Sequence, residues 1–83
     1  MSEERIMTFI NSRKESDQLR QVLQHLFFRG EITPMVAEEE YGIRRLASCI
    51  WKLRHIHGFV IYDRLEYEKN RWGRTVPYAV YSL

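Results

Sequence analysis

The stretch YGIRRLASCIWKLRHIHGF, residues 41–59, decides the fold of this chain of 83 residues. Its apolar residues recur at three- and four-residue steps, which places them on one stripe of a helix that faces a core. They are Ile43, Leu46, Ala47, Ile50, Leu53 and Ile56. The spacing predicts a helix over about residues 43–56 with one buried face.

The other side of this predicted helix is cationic. The residues that lie off the apolar stripe are Arg44, Arg45, Ser48, Lys52 and His55. Between Tyr41 and Tyr62 there is no Asp or Glu to neutralise the positive charges. Such a helix suits a DNA groove, but an ordinary amphipathic helix with a solvated basic face gives the same pattern. The flanking sequence has to decide between the two.

Length and composition predict a single small domain with a thin core. The chain is 45% hydrophobic and 29% charged, as is typical of a folded protein. Its net charge of +2 is modest, so the distribution of charge matters more than the sum. Cys49 is the one cysteine, and the chain has no long apolar run and no signal peptide pattern. These features predict a reducing, cytoplasmic location and no membrane partner.

A helix is also predicted earlier in the chain than the central one. Ser16 or Asp17 is a suitable N-cap for it, and Gly30 supplies a C-terminal stop. Its apolar residues at helical spacing include Leu19, Leu23 and Leu26. We expect these three leucines to form the core seam with Leu46, Ile50 and Leu53 of the central helix.

A second helix is predicted directly before the central one. Thr33 followed by Pro34 forms an N-cap with proline at the first helical position, and Gly42 ends the helix. Residues 31–33 are too few to be more than a bridging strand. Two helices joined by a tight turn that contains glycine are the helix-turn-helix signature, in which the later helix enters the groove.

After Gly58 the apolar period changes from 3.6 to 2, which predicts a strand that starts at Phe59. Residues 69–74 supply turn chemistry, and extended patterning resumes at Thr75, so a terminal β-hairpin results. Its tip carries Lys69, Arg71 and Arg74 around Trp72, a combination suited to a phosphate backbone. Pro77 fits this hairpin if residues 31–33 pair with about residues 79–82 alone.

The first fifteen residues form an arm, and the sequence patterns do not decide what it packs against. Ile6, Met7, Phe9 and Ile10 are apolar among charged neighbours. The arm either packs loosely on its own domain or makes a subunit contact. The second alternative predicts a homodimer, because one short helix seldom reads enough base pairs to single out a site.

The order of helix, short strand, helix, basic helix and hairpin is that of a winged helix. Over residues 16–83 the chain resembles the small winged helix-turn-helix proteins common in bacteriophages and prophages. The matching residues are GEITPMVAEEEYGIRRLASCIWKLRHIHGF and the closing YAVYSL. The resemblance implies an α+β fold, with a three-helix core and a C-terminal β-hairpin wing. It also implies a DNA-binding regulator or recombination-associated factor in the cytoplasm or nucleoid of a bacterial host.

Other chemistries find little support. Cys49, His55 and His57 lie within nine residues and lack a second closely spaced ligand pair, so we expect no metal site. There is no glycine-rich phosphate loop and no nucleophile with a partnered histidine and acid. We therefore expect no enzyme, no cofactor and no small-molecule substrate. His25 is expected on a helix surface, and Trp51 and Trp72 in packing positions rather than on bases.

The leading hypothesis is sequence-specific binding of double-stranded DNA, with the central helix in the major groove and residues 69–74 on the backbone. Arg44 and Arg45 are expected in the first helical turn, where they would read guanine, with Ser48 and Lys52 further along the face. Arg54 is at least as compatible with a structural ion pair. The alternative is a protein–protein interaction module, since three consecutive glutamates, residues 38–40, would repel phosphate.

Overall fold

A computed structural model describes residues 3–83 of the chain. Over these residues the chain forms four helices and three strands. They are α1 (Glu3–Ile10), α2 (Asp17–Arg29), β1 (Glu31–Ile32), α3 (Pro34–Tyr41), α4 (Leu46–His55), β2 (Tyr62–Lys69) and β3 (Thr75–Ser82). The predicted α+β winged-helix architecture with its C-terminal hairpin is confirmed. Within the described part of the chain, no helix has the length and apolarity needed to cross a membrane.

The predicted helix ends before the turn are observed. The Oγ1 of Thr33 accepts a hydrogen bond from the backbone N–H of Val36 at 3.2 Å, and Pro34 occupies the first helical position of α3. Gly30 ends α2 with φ of 90°, and Gly42 ends α3 with φ of 68°. Both angles lie in the region that only glycine adopts without strain, so these two positions determine where the helices stop.

The core forms where α2 and α4 face each other, as the leucine pattern predicts. Leu23 and Leu53 are completely buried, and Ile50 is 1% exposed. The other members of the predicted seam are Leu19, Leu26 and Leu46, and all three are buried. Burial of these side chains is the main source of stability in a domain of this size.

The sheet has the strand order β1-β3-β2, and both pairings are antiparallel. Ile32 of β1 pairs with Tyr81, whereas β2 and β3 pair along their full length. Pro77 lies opposite Tyr67, beyond the point where β1 has ended. Proline has no backbone N–H to donate, but β1 does not reach this far, so no hydrogen bond to β1 is lost at Pro77. The predicted arrangement is confirmed.

The N-terminal arm folds onto its own domain. Its helix α1 packs against α2, and Ile6, Phe9 and Ile10 are buried in the common core. The guanidinium of Arg20 donates from Nε to the carbonyl of Ile10 at 2.8 Å and fixes the end of α1. These apolar side chains are therefore not a free surface for a second subunit, and the predicted subunit contact through them loses its basis.

The central helix is shorter than its apolar pattern predicts. It begins at Leu46 and not at residue 43, because Ile43 is buried in the turn, where its N–H donates to the carbonyl of Ala37. At the other end Ile56 lies beyond the last residue of α4 and is 62% exposed. Ala47 is exposed as well, so two of the six residues in the predicted stripe lie outside the core.

The strand after Gly58 also starts later than its pattern predicts. Phe59 and Ile61 are buried in a connecting segment, and β2 begins at Tyr62. Within β2 every residue is exposed except the half-buried Glu66. The outer hairpin therefore projects from the core, and the molecule measures 44 × 23 × 21 Å.

Candidate nucleic-acid interface

Arg44 and Arg45 lie in the turn before α4 and not in its first helical turn, which corrects their predicted position. Arg45 is the N-cap residue, and its carbonyl accepts from the N–H of Ser48 at 3.1 Å. Both arginine side chains are exposed. The positive end of the α4 dipole adds to their charge, so an anion is favoured at this end of the helix.

The remaining predicted residues of α4 continue from this end along one face. Ser48, Lys52 and His55 follow Arg45 at steps of three, four and three residues, the spacing of side chains that share a helix face. All three are exposed. By this spacing Arg45, Ser48, Lys52 and His55 share one face, and Arg44 precedes them in the turn.

Trp51 is a member of this surface that sequence reasoning places in a packing role. It is 55% exposed, and its ring centroid lies 4.9 Å from that of His55. The signal was present in the sequence, since Trp51 lies off the apolar stripe and four residues before His55. Ala47, in the first turn of α4, is a second exposed residue, although the apolar pattern predicts it in the core.

The wing tip is a tight turn that Asn70 holds in shape. The Oδ1 of Asn70 accepts from the backbone N–H groups of Trp72 and Arg74, each at 3.0 Å. The N–H of Asn70 donates to the carbonyl of Arg74 at 2.8 Å, and Gly73 takes the positive φ of 78°. The predicted wing residues Lys69, Arg71 and Arg74 are all exposed around this turn.

The basic residues of the chain fall into two groups. Five arginines of the described chain hold carboxylates or backbone carbonyls, namely Arg5, Arg20, Arg29, Arg54 and Arg64. Among residues 3–83, eight other Lys and Arg side chains have neither a hydrogen bond nor an ion pair within the chain. Two are Arg13 and Lys14 in the turn after α1, and the others are Arg44, Arg45, Lys52, Lys69, Arg71 and Arg74. Unpaired positive charge is therefore concentrated on α4 and the wing.

Arg54 belongs to the structural group, as one of its two predicted roles required. Its Nε donates to the carbonyl of Ile61 at 2.8 Å, and its Nη2 lies 2.9 Å from the Oδ1 of Asp63. The guanidinium also lies over the ring of Tyr81, 6.0 Å from the centroid. Arg54 thereby joins the end of α4 to the base of the hairpin.

His25 is buried, which contradicts its predicted place on a helix surface. Its Nδ1 lies 2.7 Å from the hydroxyl of Tyr41 and 3.3 Å from the Oε2 of Glu40. Glu40 also approaches Arg29, at 3.9 Å. The last of the three consecutive glutamates is thus turned towards α2, and Glu38 and Glu39 remain as exposed carboxylates on α3.

The three residues weighed as metal ligands lie in different surroundings. Cys49 is buried in the core, and burial raises the pKa of its thiol. His55 lies beside Trp51, and the Nε2 of His57 lies 3.5 Å from the Oε2 of Glu15. Between residues 3 and 83, no three His, Cys, Asp or Glu side chains form a group that could hold a metal ion.

Comparison with known proteins gives a family and no individual relative. A family model described as a winged helix-turn-helix domain matches residues 17–83, which include every element from α2 to β3. No curated protein and no solved structure matches the chain. The family match agrees with the observed order of helices, turn and wing, and a winged helix-turn-helix domain suggests DNA binding. The chain therefore belongs to the winged helix-turn-helix domain family.

Proposed function

We propose that this chain binds double-stranded DNA in a sequence-specific manner, with α4 in the major groove and the wing tip on the flanking backbone. The observation that carries the proposal is the position of the unpaired cations, six of which lie on α4, on the turn before it and on the wing. A polyanion is the ligand for which such a distribution is favourable.

The end of α4 at Arg45 would carry the base contacts. An arginine in the major groove can donate two hydrogen bonds to the O6 and N7 of a guanine. Arg44 or Arg45 is available for this, because neither side chain makes a hydrogen bond or ion pair among residues 3–83. Ala47, exposed in the first turn, suits contact with a thymine methyl group. Ser48 and Lys52 would reach the next bases or phosphates, and His55 would lie nearest the far end of the groove contact.

The wing would carry contacts to the backbone. Lys69, Arg71 and Arg74 surround a turn whose shape the Asn70 side chain determines, so their positions relative to the hairpin are restricted. Contacts to phosphate set the register and orientation of a protein on DNA and are independent of sequence. Base reading by α4 and backbone contact by the wing are thus separate tasks on separate elements.

The finer biological role proposed is that of a small phage-type transcription regulator or recombination-associated factor, acting in the cytoplasm or nucleoid of a bacterial host. This rests on the resemblance of residues 16–83 to such proteins. A winged helix-turn-helix domain is typically not an enzyme, and the described residues suggest no catalytic group to us.

Single arginine replacements on α4 and on the wing, compared with a control, test the function. Arg45→Ala is expected to cost about 1–3 kcal/mol of binding free energy and to relax the preference at one base pair. Arg71→Ala is expected to weaken binding to all duplexes alike, because it removes a phosphate contact. Arg13→Ala is the matched control, since Arg13 is exposed, has no hydrogen bond or ion pair among residues 3–83, and lies outside α4, the turn before it and the wing.

The measurement begins with selection of bound sequences from random duplexes and continues with titration of each variant against the selected site. If Arg45→Ala and Arg71→Ala bind every duplex as the parent and the Arg13→Ala control do, the DNA-binding proposal is wrong. If the parent protein binds all duplexes and selects no sequence, the proposed sequence specificity is wrong and general DNA binding stands.

The alternative function, a protein–protein interaction module, is favoured by Glu38 and Glu39. These exposed carboxylates lie on α3, the helix that crosses near the DNA backbone in a helix-turn-helix complex, where they would repel phosphate. Since Glu40 is engaged by His25 and Arg29, two charges and not three oppose DNA. The six unpaired cations outnumber them, which is why we favour DNA.

Homodimerisation remains a prediction. The helix α4 has 10 residues and is about 15 Å long, so a single copy reads few base pairs. A two-fold symmetric pair would bind an inverted repeat with half-sites about one helical turn apart. Sedimentation of the full chain with and without the selected duplex tests this. A monomer that binds a single unrepeated site would contradict it.

A further inference from the structure

The wing tip presents a tryptophan that the turn itself does not need. Asn70 and Gly73 supply the hydrogen bonds and the positive φ that the turn requires. Trp72 contributes its backbone N–H, which any residue except proline would provide. The large indole at this position therefore has no explanation in turn chemistry.

Packing does not explain Trp72 either. Its side chain is 75% exposed, the largest exposed fraction among the large apolar residues of the described chain. Its ring faces the guanidinium of Arg71, 5.3 Å from the centroid, on the exterior of the molecule. A buried tryptophan would stabilise the fold by burying about 150–250 Å² of surface, and the exposed Trp72 does not make that contribution.

The surroundings of Trp72 indicate what its ring would contact. Between Lys69 and Thr75 the chain has two arginines and no acidic residue. A flat aromatic surface among cations suits a ligand that combines π-faces with negative charge, and nucleic acid is such a ligand, since bases stack on aromatic rings while phosphates pair with Lys and Arg.

We propose that Trp72 stacks on a nucleobase that has left the regular duplex stack, so that the wing tip reads how easily the DNA opens. This inference rests on the proposed DNA-binding function and goes further, because it assigns the wing a contact to bases beside its contacts to phosphate. The base would come from one of two sources, a kinked step inside the duplex or a duplex end or mismatch. Insertion of apolar side chains at kinked steps is known to be energetically feasible.

Tryptophan fluorescence separates these sources. The full chain is titrated with a closed duplex that has no ends, with the same duplex carrying one mismatch, and with the corresponding single strand. The chain has two tryptophans, so Trp72→Phe, in which Trp51 is the sole emitter, is measured in parallel and subtracted. Quenching of the Trp72 signal by the closed duplex indicates a kinked step, and quenching by the mismatched duplex or single strand alone indicates a base that is already open.

Affinity of three variants completes the test. Trp72→Ala is expected to weaken binding by about tenfold or more, and Trp72→Leu is expected to bind as weakly as Trp72→Ala. Trp72→Phe is expected to retain most of the affinity, because its aromatic ring can still stack on a base. The dependence of affinity on salt is expected to stay the same in all three, whereas Arg71→Ala lowers it. Since Trp72 is exposed, the unfolding midpoint should not change, which excludes misfolding as a cause.

Three outcomes would overturn the proposal. If Trp72 emission does not change and Trp72→Ala binds as the parent does, while Arg45→Ala still weakens binding, the stacking proposal is wrong and the DNA-binding function stands. If the parent binds none of the three nucleic acids, both are wrong. If anionic phosphatidylglycerol vesicles quench Trp72 and DNA does not, the tip contacts membranes and not bases.

Discussion

Ile50 shows how much of this fold depends on single side chains. It is 1% exposed and lies in the seam between α2 and α4, where a smaller residue leaves a cavity. We expect Ile50→Ala to lower the free energy of unfolding by about 2–5 kcal/mol. Urea denaturation measures this, with Ile56→Ala as the control, since Ile56 is exposed. Equal midpoints for Ile50→Ala and the parent would mean that the wrong face of α4 has been placed in the core.

Tyr41 is the second residue-scale test, because it satisfies the buried His25. Removing its hydroxyl in Tyr41→Phe should cost about 1 kcal/mol of unfolding free energy. Burial, followed by the nearby charge of Glu40, raises the pKa of Tyr41 above its ordinary value of 10.0. A raised pKa means that the neutral phenol is favoured in the folded state, so its contribution is present below pH 10 and is lost as the pH rises further.

The measurement compares urea midpoints of the parent and Tyr41→Phe across the alkaline range. The difference between them should be constant below pH 10 and should shrink above it. A difference that grows with pH, or one that is absent near neutrality, would contradict the assigned hydrogen bond between Tyr41 and His25.

Sequence patterns predict well whether a residue is buried when it is apolar and follows the helical period inside an element. They predict the positions of residues at the ends of elements less well. Leu23, Ile50 and Leu53 follow the helical period and are buried, as expected. Ile43 follows the same period but lies in the turn, because a buried turn residue and a first-turn residue give the same spacing. His25 could not be placed, since the partner that makes its burial favourable, Tyr41, comes from a different helix.

At the scale of elements, α1 packs against the segment that connects α4 to the hairpin, around residues 57–59. The guanidinium of Arg5 donates to the carbonyls of His57 and Gly58 and lies over the ring of Phe59, 4.5 Å from the centroid. Phe9 packs edge-on against Phe59, with ring centroids 5.2 Å apart. Since α4 and the wing carry the proposed interface, these contacts of α1 help to set their relative position.

Arg5→Ala tests this role of α1. Loss of the hydrogen bonds and of the cation–π contact should lower the free energy of unfolding by about 1–2 kcal/mol. Arg13→Ala, which removes an exposed and unpaired charge from the turn after α1, should stay within about 0.5 kcal/mol of the parent. The unfolding midpoint is measured at several protein concentrations, because a subunit contact through α1 would make it concentration-dependent. Equal effects of the two replacements would show that the Arg5 contacts contribute nothing.

The arm also shows where element prediction from sequence stops. Its four apolar residues indicate that burial is needed, but they do not say against what. The partner surface consists of α2 and the segment around Phe59, which are distant in the chain and adjacent in space. The wing turn and both ends of α3 were predictable because Gly73, Thr33 and Gly42 act locally, through backbone conformation and capping.

For the whole molecule, the separation of paired from unpaired charge matters more than the net charge of +2. Among the described residues, the acidic side chains that form ion pairs hold arginines or histidines outside the proposed interface. The Glu31 carboxylate is one of them, and its hydrogen bond from Arg64 lowers its pKa. None of these ion pairs involves the six cations of the proposed interface.

This arrangement predicts a steep dependence of DNA affinity on salt, despite the small net charge. Each Lys or Arg that neutralises a phosphate of B-DNA contributes about −0.9 to the slope of log affinity against log salt, so phosphate contacts from the three wing cations give a slope of about −3, and each further phosphate contact from the α4 side makes it steeper by about 1. Titration of the selected duplex at four or so salt concentrations measures it. Lys69→Ala and Arg74→Ala should each make the slope shallower by about 1, and Lys14→Ala, the control outside the interface, should leave it unchanged. If DNA affinity is retained but the slope is near zero, the proposed contacts to the DNA backbone are wrong. If the protein instead binds a protein ligand with an affinity that does not depend on salt, the chain is an interaction module.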